Sequence, residues 1–152
     1  MPDAHFIRRS TPPRFKGPRL RHYRAAVRED FRRTCAYCVL SELWAGGVEN
    51  FELEHFRPKS LFPHLSSNFY NLYWSCHACN KLKRTLWPTP EMLHAGIGFV
   101  DLCASSFEEH FVDEPDGTWT AKTESARFTI EMLQLNRPHM VQLRQILRYL
   151  EL

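Results

Sequence analysis

The sequence predicts an α+β fold: a small strand-and-helix core, preceded by an N-terminal helix and followed by a C-terminal hairpin plus helices. Three observations predict it. Two Cys-x-x-Cys pairs, Cys35/Cys38 and Cys76/Cys79, bracket a stretch longer than a simple ribbon needs, so that stretch must carry structure of its own. Inside it, Phe51-Glu-Leu-Glu-His55-Phe56 alternates apolar and polar residues with the period of a strand. On either side, apolar residues recur at three- and four-residue steps, the period of amphipathic helices.

Taken in order, residues 1–17 carry Pro2, Pro12 and Pro13 among arginines and read as a basic, flexible arm. In residues 18–33, Leu20, Tyr23, Val27 and Phe31 fall on one helical face. Cys35-Ala-Tyr-Cys38 makes a tight knuckle, an apolar stretch runs on to Trp44, and Gly46-Gly47 breaks it. The strand beginning at Phe51 is stopped by Pro58. A loop with Pro63, Ser66, Ser67 and Asn68 leads to Phe69, Tyr70, Tyr73 and Trp74, spaced too densely all to face outward and so assigned to packing. A helix opens at the second knuckle and ends before Pro88. Residues 18–99 thus form the core, and 100–152 an extension packed on the core or on a partner. The extension holds a hairpin over 111–119 with Asp116-Gly117 at its turn and Trp119 inside. Its helix over 124–135 turns Phe128, Met132 and Leu135 to one side, and a helix restarting at Pro138 carries Met140, Leu143, Leu147 and Leu150 inward.

Composition narrows the function classes. Hydrophobic residues at 43% fill a core and charged residues at 24% are ordinary, which excludes a disordered chain. No apolar run approaches the roughly 20 residues of a membrane span, and the first residues lack the apolar stretch of a secretory signal, so a cytoplasmic location is expected. Net charge is only +3, but it is unevenly spread: residues 1–34 hold ten Lys or Arg against three acids, and residues 100–125 hold seven acids against Lys122. A basic front end suits a polyanion, since neutralising phosphates releases counterions. It equally suits a solvated helix face, so charge supports a nucleic-acid reading without carrying it.

Five cysteines without a signal peptide argue against a disulfide framework. Cys35, Cys38, Cys76 and Cys79 offer four soft thiolates, which suits one tetrahedral Zn²⁺ that would close a long loop and stabilise a small core. The competing readings are a redox pair, disfavoured by the duplication, and buried free thiols. Cys103 stands apart and reads as a small buried hydrophobe, and His77 as a surface residue beside the knuckle.

The residues around the knuckles read Cys35-x-x-Cys38, Glu54-His55-Phe-Arg-Pro58-Lys59, Asn71-Leu72, Cys76-x-x-Cys79-Asn80-x-x-Lys83. This pattern resembles that of the HNH endonucleases. The Glu-His-Phe-Arg-Pro-Lys string, Asn71-Leu-Tyr-Trp-Ser-Cys76 and Leu135-Asn-Arg-Pro138 are similar to HNH nucleases of bacterial anti-phage systems of the retron and Septu kind. The resemblance spans residues 35–83. It implies a ββα-metal core and a metal-dependent endonuclease that acts on DNA, with RNA open as a substrate, and leaves 5′-phosphate and 3′-hydroxyl ends.

Within that reading His55 is the general base, because an imidazole titrates near neutral pH. Glu54 and Asn80 supply hard oxygen ligands to one catalytic divalent ion, and Asn80 in place of the commoner histidine points to Mg²⁺ or Mn²⁺ rather than zinc. Asn71, by resemblance, braces the loop behind His55 through backbone hydrogen bonds. Lys83, with Arg57 and Lys59, would hold flanking phosphates. Neighbours on a regular strand point to opposite faces, so for Glu54 and His55 to share a site the strand must end or bulge there. Glu52, on the face of Glu54, is an accessory-ligand candidate or a solvated carboxylate.

Two other readings stand beside the nuclease. A zinc-stapled nucleic-acid-binding module without catalysis explains the cysteines and the arm, yet leaves Glu54, His55 and Asn80 without a role. An adaptor would use the acidic segment 100–125 and the apolar last helix to dock on a protein partner such as an ATPase.

Overall fold

Local sequence sets where each element stops, and a computed structural model describes the result for residues 4–14 and 19–150. Expectations for residues 1–3, 15–18 and 151–152, which include parts of the arm and the end of the last helix, lie outside the described residues. Two units divide the chain: Phe6–Trp87, and Met1–His5 with Pro88–Leu152. The boundary therefore falls at Trp87/Pro88, ahead of the expected 99/100 junction. Pro88 lacks the N–H that would prolong the preceding structure.

In the unit Phe6–Trp87, a 3₁₀ turn (Leu20–Tyr23) leads into helix α1 (Arg24–Asp30). The helix is shorter than the expected 18–33 because Arg32 and Arg33 turn left-handed, at φ 52° and 56°. The Arg33 N–H then donates to the Arg28 carbonyl at 3.0 Å, which satisfies a terminal acceptor and swings the chain into the first knuckle. Strands β1 (Phe51–His55) and β2 (Leu72–Cys76) pair antiparallel, and helix α2 (His77–Lys83) follows β2 directly. Val27, Phe31, Leu72 and Trp74 are fully buried between these elements, each worth about 1.5–3 kcal/mol of apolar transfer.

Residues Phe6, Arg8 and Ser10 of the supposed arm belong to this core, which corrects the reading of the arm as flexible at those positions. Phe6 is buried against Phe31, with ring centroids 4.9 Å apart. Arg8 donates to Asp30 at 2.9 Å and to the carbonyls of Leu72 and Phe69 at 3.1 Å each, lying over the Phe69 ring. Burial pushes the Asp30 carboxyl up, but hydrogen bonds from Arg8 and Ser10 outweigh it and hold the pKa below the usual value.

The second unit contains α3 (Pro90–His94), α4 (Phe107–His110), the hairpin β3 (Phe111–Asp113) and β4 (Trp119–Ala121), α5 (Glu124–Met132) and α6 (Pro138–Tyr149). Gly117 takes the hairpin turn at φ +89°, where a Cβ would come within 2.6 Å of the Val141 carbonyl. Trp119 is buried, as its pattern predicts. The inward face of α6 differs from expectation. Met140 and Arg144 are buried, whereas Leu150 and Ile146 are half exposed and Tyr149 is almost fully exposed. Arg144 donates to the carbonyls of Gly117 and Leu135 and to Asn136 Oδ1, and lies 4.0 Å over the Trp119 ring. Among the described residues no helix is long and apolar enough to cross a membrane.

Candidate functional site

The first knuckle is bent back by hydrogen bonds from Cys35 N to Leu40 O and from Val39 N to Cys35 O, with Val39 in the left-handed region at φ 60°. The Ala36 N–H donates to the Trp74 carbonyl at 2.8 Å, which docks this knuckle beside the end of β2. Cys76 caps α2, its sulfur accepting from the Cys79 N–H. The four sulfurs of Cys35, Cys38, Cys76 and Cys79 consequently lie within 4.8 Å of one another and are all buried. Two thiolates on one tetrahedral Zn²⁺ sit about 3.8 Å apart when each bond is about 2.3 Å. Cys38 Sγ and Cys76 Sγ are 3.8 Å apart, so the donor set fits a metal ion such as zinc. Cys103 is half-buried and outside this cluster.

His55 ends β1 half-buried, and its Nε2 lies 2.9 Å from the Ser66 carbonyl oxygen. A carbonyl only accepts, so Nε2 carries a proton, and Nδ1 is the nitrogen that holds the lone pair whenever the ring is neutral. Asn71 lies at the foot of β2 and is buried. Its Oδ1 accepts from Arg57 N at 2.9 Å, while its Nδ2 donates to Arg57 O at 3.0 Å and to Leu65 O at 3.4 Å. One amide thus ties together the chain leaving β1 and the loop that carries Ser66.

Glu54 is placed differently from expectation. The β1–β2 register runs unbroken from Phe51↔Cys76 to His55↔Leu72, with no bulge to bring Glu54 and His55 onto one face. Glu54 turns inward, 3% exposed, and both carboxylate oxygens are engaged: Oε1 accepts from Lys83 at 2.6 Å and Oε2 from the Tyr37 hydroxyl. Burial pushes its carboxyl up to about 7 against the pull of the Lys83 ammonium, and burial likewise draws Lys83 down.

Lys83 is fully buried and therefore holds no phosphate, which corrects that assignment. An ammonium has three N–H donors, and all three are used: on Glu54 Oε1, on His55 O at 3.1 Å and on Phe56 O at 2.7 Å. Glu54 as ligand of a catalytic ion is corrected on the same ground, since its oxygens are committed and screened from solvent. Asn80 stays half-buried one turn before Lys83 on α2. One neutral amide oxygen does not make a fit for a firmly held Mg²⁺ or Mn²⁺.

Arg57 and Lys59 are exposed, and the Arg57 guanidinium lies 5.7 Å from the ring centroids of Phe62 and Trp87. Glu52 is spent on His77, with Oε1 3.1 Å from Nδ1 at the surface. Sequence reasoning missed Tyr37 and Ser66. Tyr37 carried a usable signal, because a hydroxyl inside a buried knuckle must find a partner. Ser66 acts through its backbone and carried none. Comparison with protein-family models and with curated proteins finds no match to this chain.

Proposed function

We propose that the unit Phe6–Trp87 is a nuclease of the HNH type, in which His55 activates water to attack a phosphodiester of DNA. The observation that carries the reading is the placement of His55 and its contact with the Ser66 carbonyl. His55 stands at the end of the first strand of a strand–strand–helix unit, with the Ser66 carbonyl fixing Nε2–H and leaving Nδ1 to take a proton. Asn71 supports the reading by holding the loop behind His55, and the four-thiolate cluster in the same unit would hold a zinc staple. Arg57 and Lys59 are the exposed cations beside His55 in sequence, suited to flanking phosphates.

The resemblance to HNH enzymes implies Mg²⁺ or Mn²⁺ at the reacting phosphate. Since Glu54 is committed elsewhere, the imidazole of His55 is the group that does the chemistry this chain itself supplies. The test is nicking of supercoiled plasmid by the full zinc-loaded chain with no added divalent ion, with Mg²⁺ and with Mn²⁺. Nicking that disappears in His55→Ala, with plasmid binding and zinc content retained, is the expected result. The burial of Glu54 also favours the module that binds without cutting, and shift of the plasmid with no nicking under any condition would establish that alternative.

A further inference from the structure

We propose that Glu54, Lys83 and Tyr37 are positioning residues that set the backbone of His55 and couple it to both cysteine knuckles; this rests on His55 acting as the base. Each comes from a different element. Tyr37 lies within the first knuckle, Lys83 on the helix that opens at the second, and Glu54 on the strand one residue before His55. Glu54 receives one hydrogen bond from each of the other two, so the carboxylate is the joint between them. Lys83 then reaches past Glu54 to the carbonyls of His55 and Phe56, where the strand ends and the chain turns toward Arg57.

Burying this cluster is expensive, because desolvating an ion pair costs several kcal/mol per ion unless every donor and acceptor is matched. Here they are matched: three ammonium donors meet three oxygens, and two carboxylate oxygens meet two donors. The rings of Tyr37 and Phe56 lie 5.9 and 5.7 Å from Nζ and shield it from water. A leucine pair would hold the same elements together at lower cost, but it could not grip two consecutive carbonyls. The peptide units fixed are those of His55 and the residue after it, and small displacements of a reacting group cost on the order of a hundredfold in rate.

The experiment uses the full zinc-loaded chain and its Glu54→Gln, Lys83→Met and Tyr37→Phe variants. Two quantities are read: plasmid nicking across a Mn²⁺ titration, and the ring-nitrogen NMR signals of His55, which report its tautomer. Positioning predicts that all three variants lower kcat, by about tenfold to a hundredfold for Lys83→Met, with the Mn²⁺ midpoint unchanged. It also predicts that the His55 ring loses its single Nε2–H form in Lys83→Met. A tenfold shift of the Mn²⁺ midpoint in Glu54→Gln, with His55 signals as in the wild type, would make Glu54 a metal ligand and overturn the proposal. Should the wild type not nick, the nuclease reading fails on its own. The tautomer measurement then decides the positioning role, altered signals supporting it and unaltered ones refuting it. Tyr37→Phe removes a single oxygen and carries both readouts if Lys83→Met does not fold.

Discussion

Asn71 and Arg57 hold each other twice: the Asn71 carboxamide accepts from the Arg57 N–H and returns a hydrogen bond to the Arg57 carbonyl, at 2.9 and 3.0 Å. The pairing mimics a strand ladder where the strand has already ended. Asn71→Ala would leave both backbone groups without this partner in a part-buried place, a cost of about 1–3 kcal/mol for each group that water does not reach. Asn71→Asp should not rescue it, because a carboxylate accepts from Arg57 N but cannot donate to the carbonyls of Arg57 and Leu65. Urea denaturation of both variants checks this, and an aspartate variant as stable as the wild type would refute it.

Cys38→Ser should strip the metal and unfold the unit Phe6–Trp87, since Cys38 is one of four buried sulfurs on one site. Structural zinc contributes roughly 10–16 kcal/mol in isolated finger peptides, more than a small unit holds in reserve. Metal content by mass spectrometry and thermal melting of the purified variant are the measurements. Full zinc occupancy with an unchanged melt would rule the staple out.

Stability should fall in acid through Glu42. Arg28 grips its carboxylate with two hydrogen bonds of 2.7 Å and the Trp74 indole adds one of 2.9 Å. The bond from Arg28 holds the Glu42 pKa below its ordinary value of 4.5. A pKa lowered by folding stabilises the fold fully above the unfolded value and ceases to do so as pH falls through the folded one. Melting temperature should therefore drop as pH is lowered below 4.5, with Trp74 fluorescence shifting alongside. Glu42→Gln should flatten that slope without abolishing it, because Asp30 is held down in the same direction. An unchanged slope in Glu42→Gln would show the pair to be irrelevant.

Arg144→Ala should destabilise the C-terminal unit by on the order of 3 kcal/mol, through lost charge-assisted hydrogen bonds and the lost stack on Trp119. Arg144→Lys should recover little, since an ammonium cannot spread a planar fork over three oxygens while lying flat on the indole. Chemical denaturation followed by Trp fluorescence distinguishes these outcomes. Recovery by lysine to wild-type stability would mean that charge alone suffices.

Legibility in the sequence followed the range of the interaction. The knuckles, the strand at Phe51 and the Asp116-Gly117 turn are set by neighbours a few residues apart, and each was readable. Arg8 and Arg144 carry no local signal, because burial of a guanidinium depends on acceptors that local pattern does not show. Arg8 finds Leu72 and Phe69 more than sixty residues away. At the candidate site His55 and Asn71 were legible as a pair of motifs. Glu54 departs from expectation because the strand keeps its register through His55 without the bulge that a shared site needs, and alternation then places consecutive side chains on opposite faces. Once Glu54 is turned inward, Lys83 is required inside to meet it.

The two units also differ in when they can be completed on a ribosome. Phe6–Trp87 is one unbroken run, whereas the other unit joins Met1–His5 to Pro88–Leu152. Everything that shapes the His55 loop has been synthesised once Trp87 has emerged, and units that emerge first fold first. Ala4, buried and accepting from the Phe107 N–H at 3.1 Å, must wait for a partner made much later. Translation thus finishes the unit Phe6–Trp87 while Ala4 still waits for Phe107.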